Sequence, residues 1–436
     1  MHTRRDDVDP PGRAALRQVT RRLIPFLFVL YVANYLDRVN VSFAALQMNR
    51  DLGLSASAYG LGAGMFFLGY CLFQVPSNLL LVRVGARRWI AGLMVAWGAI
   101  ASTTMAIRSA GEFYALRFAL GVVEAGFFPG VILYLTHWFP AAERARAAAR
   151  FMTAIPISGV LGGPVSGALL ALDGRGGLAG WQWLFLLEGL PSVLLGLAVF
   201  RYLPDRPAEA RWLPPEERAW LVTRLAAEQA AAARPATVAL GRALASPLVW
   251  RLGALYFLIV AGLYGQGLWL PQLIKGRAAL SDLGVGFLAA VPALAAAAAM
   301  VVVAAHSDRT GERPLHVAGA LAAGAAGFAL AAPAAGAPVL ATLALSLAAA
   351  GFTSALGPFW SLPPMFLRGT AAAAGIALIN ALGNAAGFVS PYLVGLVKDA
   401  TGSFAGALLA FALFMAAGAA LAAGVRREPL LAPSRS

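Results

Sequence analysis

Long apolar runs constrain the fold of this chain more than any other feature of its sequence. Twelve stretches rich in Ala, Leu, Gly and Val recur along its 436 residues, and most of them are 20 residues or longer. A helix needs about 20 such residues to cross roughly 30 Å of hydrocarbon. With 60% hydrophobic and only 12% charged residues, the chain carries more apolar surface than a water-soluble core can cover. The sequence therefore predicts an all-α membrane protein.

The order of these runs predicts twelve transmembrane helices in two six-helix halves. An outer-membrane barrel is not expected, because the runs lack the alternating segments of about ten residues that barrel strands show. The predicted spans are residues 23–45, 57–80, 89–107, 111–135, 151–172, 181–201, 248–272, 284–305, 314–332, 337–360, 371–396 and 403–424. The predicted domains are an N-terminal tail 1–22, a first half 23–201, a linker 202–247, a second half 248–424 and a C-terminal tail 425–436.

The distribution of charge predicts the orientation of the chain. The formal net charge is +14, but the basic residues form short clusters between apolar runs, so nucleic acid is not expected as a partner. With the N-terminus in the cytoplasm, the loops on that side carry most of the 34 Lys and Arg residues, as the positive-inside rule requires. We expect a multi-pass protein of a bacterial inner membrane with both termini in the cytoplasm.

The region between the halves and the loops after the second and eighth runs carry weaker signals. The stretch from Pro215 has helical periodicity and mixed charge, which favours a solvated linker helix, with a regulatory or partner-docking role as the alternative. RVGARRW at 83–89 and SDRTGERP at 307–314 occupy corresponding places in the two halves. This echo supports an internal duplication of the kind found in transporters.

Four charged residues lie inside two of the apolar runs. Asp37 and Arg38 belong to the first run, and Arg117 and Glu124 belong to the fourth. A charge in the hydrocarbon layer costs about 2.5 to 3.5 kcal/mol even on lenient insertion scales, so such residues usually line a substrate or proton route. These four side chains are the first candidates for function.

The first run predicts a site for a carboxylate. Tyr31, Tyr35 and Arg38 follow i, i+4, i+7 spacing, which places two phenol groups and a guanidinium on one face of a helix. Arginine presents a fork of donors that fits a carboxylate, and the tyrosines can donate further hydrogen bonds. The alternative is that Arg38 only pairs with an acid and holds two helices together.

Asp37 and Glu124 are the candidates for binding a proton. Asp37 lies about 100 degrees round the helix from Arg38, so the two side chains cannot point the same way. The alternative to a proton-binding role for Asp37 is a permanent ion pair with an arginine on another helix, such as Arg117. Glu124 is seven residues after Arg117, hence roughly 10 Å away on the same face, and is the first choice as proton carrier. The alternative for Glu124 is a neutral glutamic acid that is hydrogen-bonded to a backbone carbonyl and carries no proton in transport.

Uncharged polar residues complete the set of candidates. Tyr70, with Gln74 and Asn78, forms a polar stripe along the second run, and Tyr70 is the better substrate candidate. The intramembrane Glu188 is expected to be structural. Candidates to bind the hydroxyl groups of a substrate in the second half, each with helix packing as the alternative, are Gln266, Trp360, Ser361, Asn380 and Asn384.

Several segments resemble one family of transporters over nearly the whole chain. They are YLDRVNVSFA, FFLGYCLFQVPSNLLLVRVGARRW, RFALGVVEAGFFPGVILYLTHWFP, WQWLFLLEGLPS, GPFWSLPPMFL and GIALINALGNAAGFVSPYLVGLVKDATGSF. The sequence resembles the anion:cation symporter family of the major facilitator superfamily. In proton-linked members, the acid of the first-span DR pair works with an acid of the fourth-span motif. The resemblance therefore implies proton coupling through Asp37 and Glu124 and, as substrate, a dicarboxylate or sugar acid such as tartrate.

One motif and several absences bear on the other possible functions. SGVLGGPVSG at 158–167 is similar to a motif of antiporters, although closely spaced glycines also permit tight packing. The chain has no phosphate-binding GxxxxGK[ST], no HExxH and no GxSxG, so we expect neither an enzyme nor a cofactor beyond the coupling proton. No metal site is expected, because the histidines lie at ends or in loops: His2, His137, His306 and His316.

The sequence as a whole favours a secondary transporter that takes up a small organic anion together with protons and acts as a monomer. An exporter of drugs or metabolites with the same fold is the first alternative. A membrane sensor or scaffold is the second, and only the linker supports it.

Overall fold

The computed structural model describes residues 10–231, 241, 245–276, 279–334, 336–367 and 369–425, and these residues form helices and no strand. Twelve helical segments are long and apolar enough to cross a membrane, which confirms the predicted all-α architecture. The spans are Pro10–Asp51, Ala56–Val84, Ala86–Ala106, Ala110–Trp138, Ala141–Leu170, Gly180–Tyr202, Pro247–Lys275, Asp282–Thr310, Pro314–Ala334, Pro338–Phe366, Ala374–Thr401 and Ala405–Val425. Parts of the predicted tails and linker lie outside the described residues.

The helices extend further than hydropathy alone indicates. The first helix begins at Pro10, inside the segment predicted as a tail, whereas the predicted span begins at residue 23. Its early part is rich in Ala, Leu, Arg and Gln, which favour helix. Ala15 and Val19 of this part are fully buried in the first half of the protein. Hydropathy marks the portion that crosses hydrocarbon, but a helix continues into water wherever propensity and packing support it.

Three spans are interrupted close to the candidate residues. The first span breaks at Asn40, the fourth between Glu124 and Phe127, and the tenth after Ser354 and again after Trp360. These are local irregularities rather than gaps: Asn40 keeps helical torsion angles, its N–H donates to Leu36 at 2.9 Å, and the N–H of Ala125 donates to Gly121 at 3.1 Å.

Within the first half, the third and sixth spans pack backbone to backbone. A Cβ atom added to Gly98 would lie 2.7 Å from the carbonyl oxygen of Gly189, and one added to Gly189 would lie 2.8 Å from that of Gly98. Only glycine permits this approach. As a result Glu188, next to Gly189 on the sixth span, lies in the interior of the half, only 7% exposed.

The two halves meet at the ends of the spans that are opposite the linker. The amide of Gln47 donates to Asp282 at 2.7 Å. The carboxylate of Asp399 accepts from the backbone N–H groups of Ala56 and Ser57 at 2.9 and 2.8 Å. The hydroxyl of Tyr59, near the same end, donates to the backbone carbonyl of Leu268 at 2.7 Å. The interface between the halves is therefore closed opposite the linker.

The glycine-rich segment of the fifth span belongs to this closed interface. Gly163 faces Gly286 of the eighth span so closely that a Cβ atom on either residue would overlap the carbonyl of the other. Gly167 is packed in the same way against the backbone of Asp282. The glycines of SGVLGGPVSG thus allow the two halves to approach each other, which accords with the packing interpretation of this motif.

The linker contains a helix, Pro215–Ala231, that packs on the first half. Leu221 and Leu225 are buried on one of its faces. Gln18 donates to Glu217 at 3.2 Å, and Glu228 accepts from the backbone N–H of Ala141 at 2.9 Å. The linker helix is therefore amphipathic, with one face packed on the first half.

Candidate functional site

An ion pair between the first and fourth spans forms the centre of the candidate site. Arg38 donates from Nη2 at 2.8 Å and from Nε at 3.1 Å to the same oxygen of Glu124, Oε2. The side-chain amide of Asn34 donates to this oxygen as well, at 2.9 Å. The other carboxylate oxygen, Oε1, is buried without a partner. Arg38 therefore does pair with an acid, and that acid is the predicted proton carrier.

Aromatic rings from both halves surround the Arg38 guanidinium. Its central carbon lies 5.3 Å from the ring centroid of Phe66 and 5.6 Å from that of Tyr70, within cation–π distance. Tyr264 of the seventh span lies within electrostatic reach of Arg38, and its ring is 4.2 Å from that of Phe67. The Arg38 side chain is 15% exposed, whereas that of Glu124 is fully buried. The ion pair thus lies where the two halves meet, with its arginine on the accessible side.

Arg117 also lies close to the Phe66 ring. It is 2% exposed, and its guanidinium carbon is 5.1 Å from the ring centroid. Its Nε and Nη2 atoms have no hydrogen-bond partner. A buried guanidinium with unpaired donors is costly, and the charge of Glu124 on the same span acts on it.

Tyr31 and Tyr35 lie on the Arg38 face of the first span in different settings. Tyr31 is buried, and its ring stacks on that of Phe151 in the fifth span at 4.6 Å between centroids. Tyr35 is partly buried and lies within electrostatic reach of Arg38 and Tyr264. Both tyrosines lie within electrostatic reach of Arg38 and Tyr264, so both lie near the junction between the halves.

Asp37 points away from the ion pair, into the first half. It is 1% exposed, and its Oδ2 accepts from Trp97 Nε1 at 3.2 Å and from Ser192 Oγ at 2.5 Å. Its Oδ1 has no partner. The ion pair with Arg117 that the sequence left open as an alternative does not form.

The second-half candidates fall into two groups. Gln266 is buried and donates to the backbone carbonyl of Leu345 at 3.0 Å, and Ser361 donates to its own helix at 3.3 Å. The ring of Trp360 packs edge-on against Tyr256 at 4.9 Å. The amides of Asn380 and Asn384 are partly buried and make no hydrogen bond with the residues that the structure describes. These two asparagines keep their hydrogen-bonding capacity free.

The sequence reasoning overlooked several residues of the site. Asn34 stands one turn before Arg38 inside an apolar run, and Tyr264 stands two residues before Gln266, so intramembrane polarity marks both of them. The sequence does not mark Phe66. A phenylalanine that contacts two guanidinium groups cannot be distinguished by sequence from one in an apolar core. The structure also brings together two histidines that were expected to be separate, His306 and His316, at 2.6 Å between ring nitrogens.

Comparison with known proteins identifies the family. The family model of the Major Facilitator Superfamily matches residues 27–391. The chain belongs to this superfamily. A relative from Agrobacterium vitis, named "Putative tartrate transporter", is 53% identical over 395 residues and is covered to 90%, as is the chain. A relative from Acinetobacter baumannii, named "Quinolone resistance transporter", is 41% identical, with 92% of each chain covered.

Solved structures of the superfamily show the same fold. A bacterial homolog of the human lysosomal transporter Spinster, in an inward-facing and unoccupied conformation, superposes with a TM-score of 0.77 at 17% identity, with 96% of this chain and 98% of that chain covered. The chain is thus a multi-pass bacterial membrane protein and a transporter, not an enzyme. The prediction of the superfamily from its motifs is confirmed.

Proposed function

We propose that this transporter takes up a small organic anion, a dicarboxylate or sugar acid such as tartrate, together with protons across the bacterial inner membrane. Both termini then lie in the cytoplasm, as the distribution of Lys and Arg favours. The name of the Agrobacterium vitis relative supports the substrate class. The geometry around Arg38 supports the coupling.

The observation that carries the proposal is the way Arg38 uses its donors. Two of its N–H groups go to one oxygen of Glu124, in a side chain that is accessible at the junction of the halves. When Glu124 takes up a proton it loses its negative charge, and the fork of donors on Arg38 becomes free to bind a substrate carboxylate. Arg38 is therefore shared between Glu124 and the substrate.

Sharing one arginine couples the proton to the anion. Protonation of Glu124 strengthens anion binding, and anion binding strengthens proton binding by the same factor, because linkage is reciprocal. Neither ligand binds well alone. This is the thermodynamic requirement for symport, in which empty and fully loaded carriers are the species that change conformation.

Further side chains can complete the substrate site. Arg117 offers a second positive charge with free donors, suited to the other carboxylate of a dicarboxylate. Tyr35 and Tyr70 offer hydroxyl groups near Arg38. Asn380 and Asn384 offer amides for the hydroxyl groups of a sugar acid. Charge on the first half and amides on the second would draw the halves together around the substrate.

The contacts between the halves define the state of the carrier. They are closed opposite the linker, so with a cytoplasmic linker the site opens to the cytoplasm. Uptake then requires that the halves rock about the site to break the contacts of Asp399 and Gln47 on the outer side. A dicarboxylate bound to Arg38 and Arg117 beside a protonated Glu124 forms an assembly without net charge, and this lowers the cost of closing the site.

Transport by purified protein in proteoliposomes tests the proposal. With an acidic exterior, wild type should accumulate labelled tartrate. Glu124→Gln should lose this accumulation and keep tartrate counterflow, because exchange of labelled for unlabelled substrate moves no net proton. Glu143→Gln is the matched control: Glu143 forms only a surface pair with Arg146, so its transport should equal that of wild type. Uphill accumulation by Glu124→Gln would contradict the assignment of the proton carrier.

Export of drugs is the second candidate, favoured by the name of the Acinetobacter baumannii relative. Substrate charge separates the two functions, because Arg38 gives no advantage in binding a cation. In a host that lacks its own efflux systems, expression should leave resistance to cationic dyes and quinolones unchanged and should support growth on tartrate. Resistance without growth on the acid would favour export.

A further inference from the structure

A second cluster of buried polar groups lies inside the first half, separate from the Arg38 site. Its members come from the first, third, fifth and sixth spans. Glu188 accepts from Ser166 Oγ at 2.9 Å through Oε1, while its Oε2 is buried without a partner. Asp37 accepts from Trp97 and Ser192 and leaves its Oδ1 without a partner. We call this group, together with Asn40, the acid compartment.

The two carboxyl groups of the compartment are close neighbours. Ser192, which donates to Asp37, follows Glu188 by four residues, about one turn or roughly 6 Å along the sixth span, and the charge of Glu188 acts on Asp37. Asn40 is fully buried beside Glu188, yet neither its Oδ1 nor its Nδ2 has a well-formed hydrogen bond. Leaving a buried polar atom unpaired costs about 1 to 3 kcal/mol. Asn40 is nevertheless a hydrogen-bonding neighbour of Glu188, so the stronger indication of a bound proton is the presence of two acids without a cation.

No cation balances the two acids. In the part of the chain that the structure describes, neither Asp37 nor Glu188 has a Lys, Arg or His nitrogen within ion-pair distance, and the strongest charges acting on Asp37 are those of Glu188 and Glu124. Arg38, although adjacent in sequence, points to Glu124. The groups of the third and fifth spans in the compartment are uncharged. The neighbouring fourth span, outside the compartment, carries Glu124 and Arg117.

The buried carboxyl groups of Asp37 and Glu188 cannot both be ionised without a nearby cation. The cost of burying a carboxylate without a counter-charge is large enough that such a group takes up a proton instead. Neighbouring acids also disfavour each other's charge, so their protons are held by the group as a whole. The compartment therefore holds at least one proton, and its free oxygens are the places where a carboxyl O–H can donate.

We propose that Glu188 is a further proton-binding residue of this carrier: with Asp37 it holds a proton that is exchanged during the transport cycle, in addition to the proton on Glu124. The inference rests on the proposed proton coupling. Asp37 and Arg38 are consecutive residues of the first span, so a movement of this span that shifts Arg38 also moves Asp37 against the sixth span. Binding of the substrate at Arg38 and exposure of the acid compartment thus follow from the same movement of the first span.

Glu188→Gln tests this inference, since glutamine can still accept from Ser166 but cannot release a proton. The number of protons moved per tartrate is measured in proteoliposomes, with the membrane potential clamped at zero, from the pH gradient that just balances a fixed tartrate gradient. We expect a lower number than in wild type, a tenfold or greater fall in pH-driven accumulation, and counterflow within twofold of wild type. Glu143→Gln, on the surface, should match wild type in all three measurements.

The outcomes separate the inference from the proposed function. If wild type accumulates tartrate with the pH gradient and Glu188→Gln has the same proton number and pH profile, only the inference fails. If wild type is driven by sodium or by no gradient, both fail. If Glu188→Gln does not fold, Ser166→Ala replaces it: loss of the donor to Glu188 should shift the pH profile of uptake, and an unchanged profile would overturn the inference.

Discussion

The two acid sites beside the first span, one at Glu124 and one at Asp37, differ in the charge that opposes the acid. Glu124 has an arginine, an amide and a place at the junction of the halves, where Arg38 is 15% exposed. Asp37 has an indole, a hydroxyl and an acidic neighbour, and is 1% exposed. A carboxylate paired with an accessible arginine can respond to a substrate anion. A carboxyl without a cation, sealed inside one half, can respond only to protons and to movement of the helices around it.

The same helix therefore presents two kinds of site on adjoining faces. Successive residues differ by about 100 degrees, so Asp37 and Arg38 reach different neighbours although they are bonded to each other in the chain. The substrate can influence the sealed site only through the position of the first span. This difference between the sites leads to four predictions, taken from the largest expected effect to the smallest.

Arg38→Lys should weaken tartrate binding about tenfold to a hundredfold, which corresponds to roughly 1.4 to 2.8 kcal/mol. Lysine keeps the charge but loses the fork that can hold a carboxylate through two hydrogen bonds. Titration calorimetry on detergent-purified protein measures the effect. Arg50→Lys is the control, because Arg50 is highly exposed at the end of the same span. Equal binding by both variants would show that Arg38 does not bind the substrate.

Gly98→Ala should destabilise the folded protein by about 1 to 3 kcal/mol, since the new Cβ would meet the backbone of Gly189 and push the sixth span from the third. The acid compartment would lose its tight enclosure. Thermal unfolding in detergent measures the change. Gly92→Ala on the same span is a close control, because a Cβ there meets nothing within 4 Å. Similar melting temperatures for the two variants would contradict this account of the packing.

Glu124→Gln and Glu188→Gln should differ in how their tartrate binding depends on pH. In wild type, tartrate binding should tighten as the pH falls, because a protonated Glu124 releases Arg38. Glu124→Gln should bind several-fold more tightly than wild type at neutral pH and lose this dependence, whereas Glu188→Gln should retain it. Calorimetry at several pH values between 5 and 8 distinguishes them. A pH-dependent Glu124→Gln would mean that another group controls Arg38.

Trp97→Phe should have the smallest effect, a loss of about 0.5 to 1.5 kcal/mol of stability, because it removes one hydrogen bond to Asp37 and keeps a ring in place. Trp89→Phe is the control on the same span, since the Trp89 indole N–H has no partner to lose. Chemical unfolding of the two variants is compared. A larger loss for Trp89→Phe would argue that the indole of Trp97 contributes only packing.

The sequence predicted the spans reliably and their polar contacts only in part. Hydrocarbon leaves a backbone no choice but to satisfy its own hydrogen bonds, so a long apolar run becomes a helix whatever its neighbours are. The cost of intramembrane charge singled out Asp37, Arg38, Arg117 and Glu124 by the same reasoning. Helix periodicity also showed that Asp37 and Arg38 point to different places. It could not show which places.

Glu188 illustrates what periodicity leaves open. From the sequence alone, Glu188 is expected to be structural. In the fold, the contact between Gly98 and Gly189 turns the sixth span so that Glu188 and Ser192 face the first span. The packing of Gly98 against Gly189, 91 residues apart in the sequence, thus determines which groups surround Glu188.

The sequence by itself determined that twelve helices cross a membrane and which charges they carry into it, because burial in lipid acts on each residue locally. Only the tertiary structure decided which charges are paired. Arg38 meets Glu124 across 86 residues, and Asp37 meets Ser192 across 155. These partners depend on how each helix is rotated about its axis, and that rotation is set by side-chain packing among several helices at once.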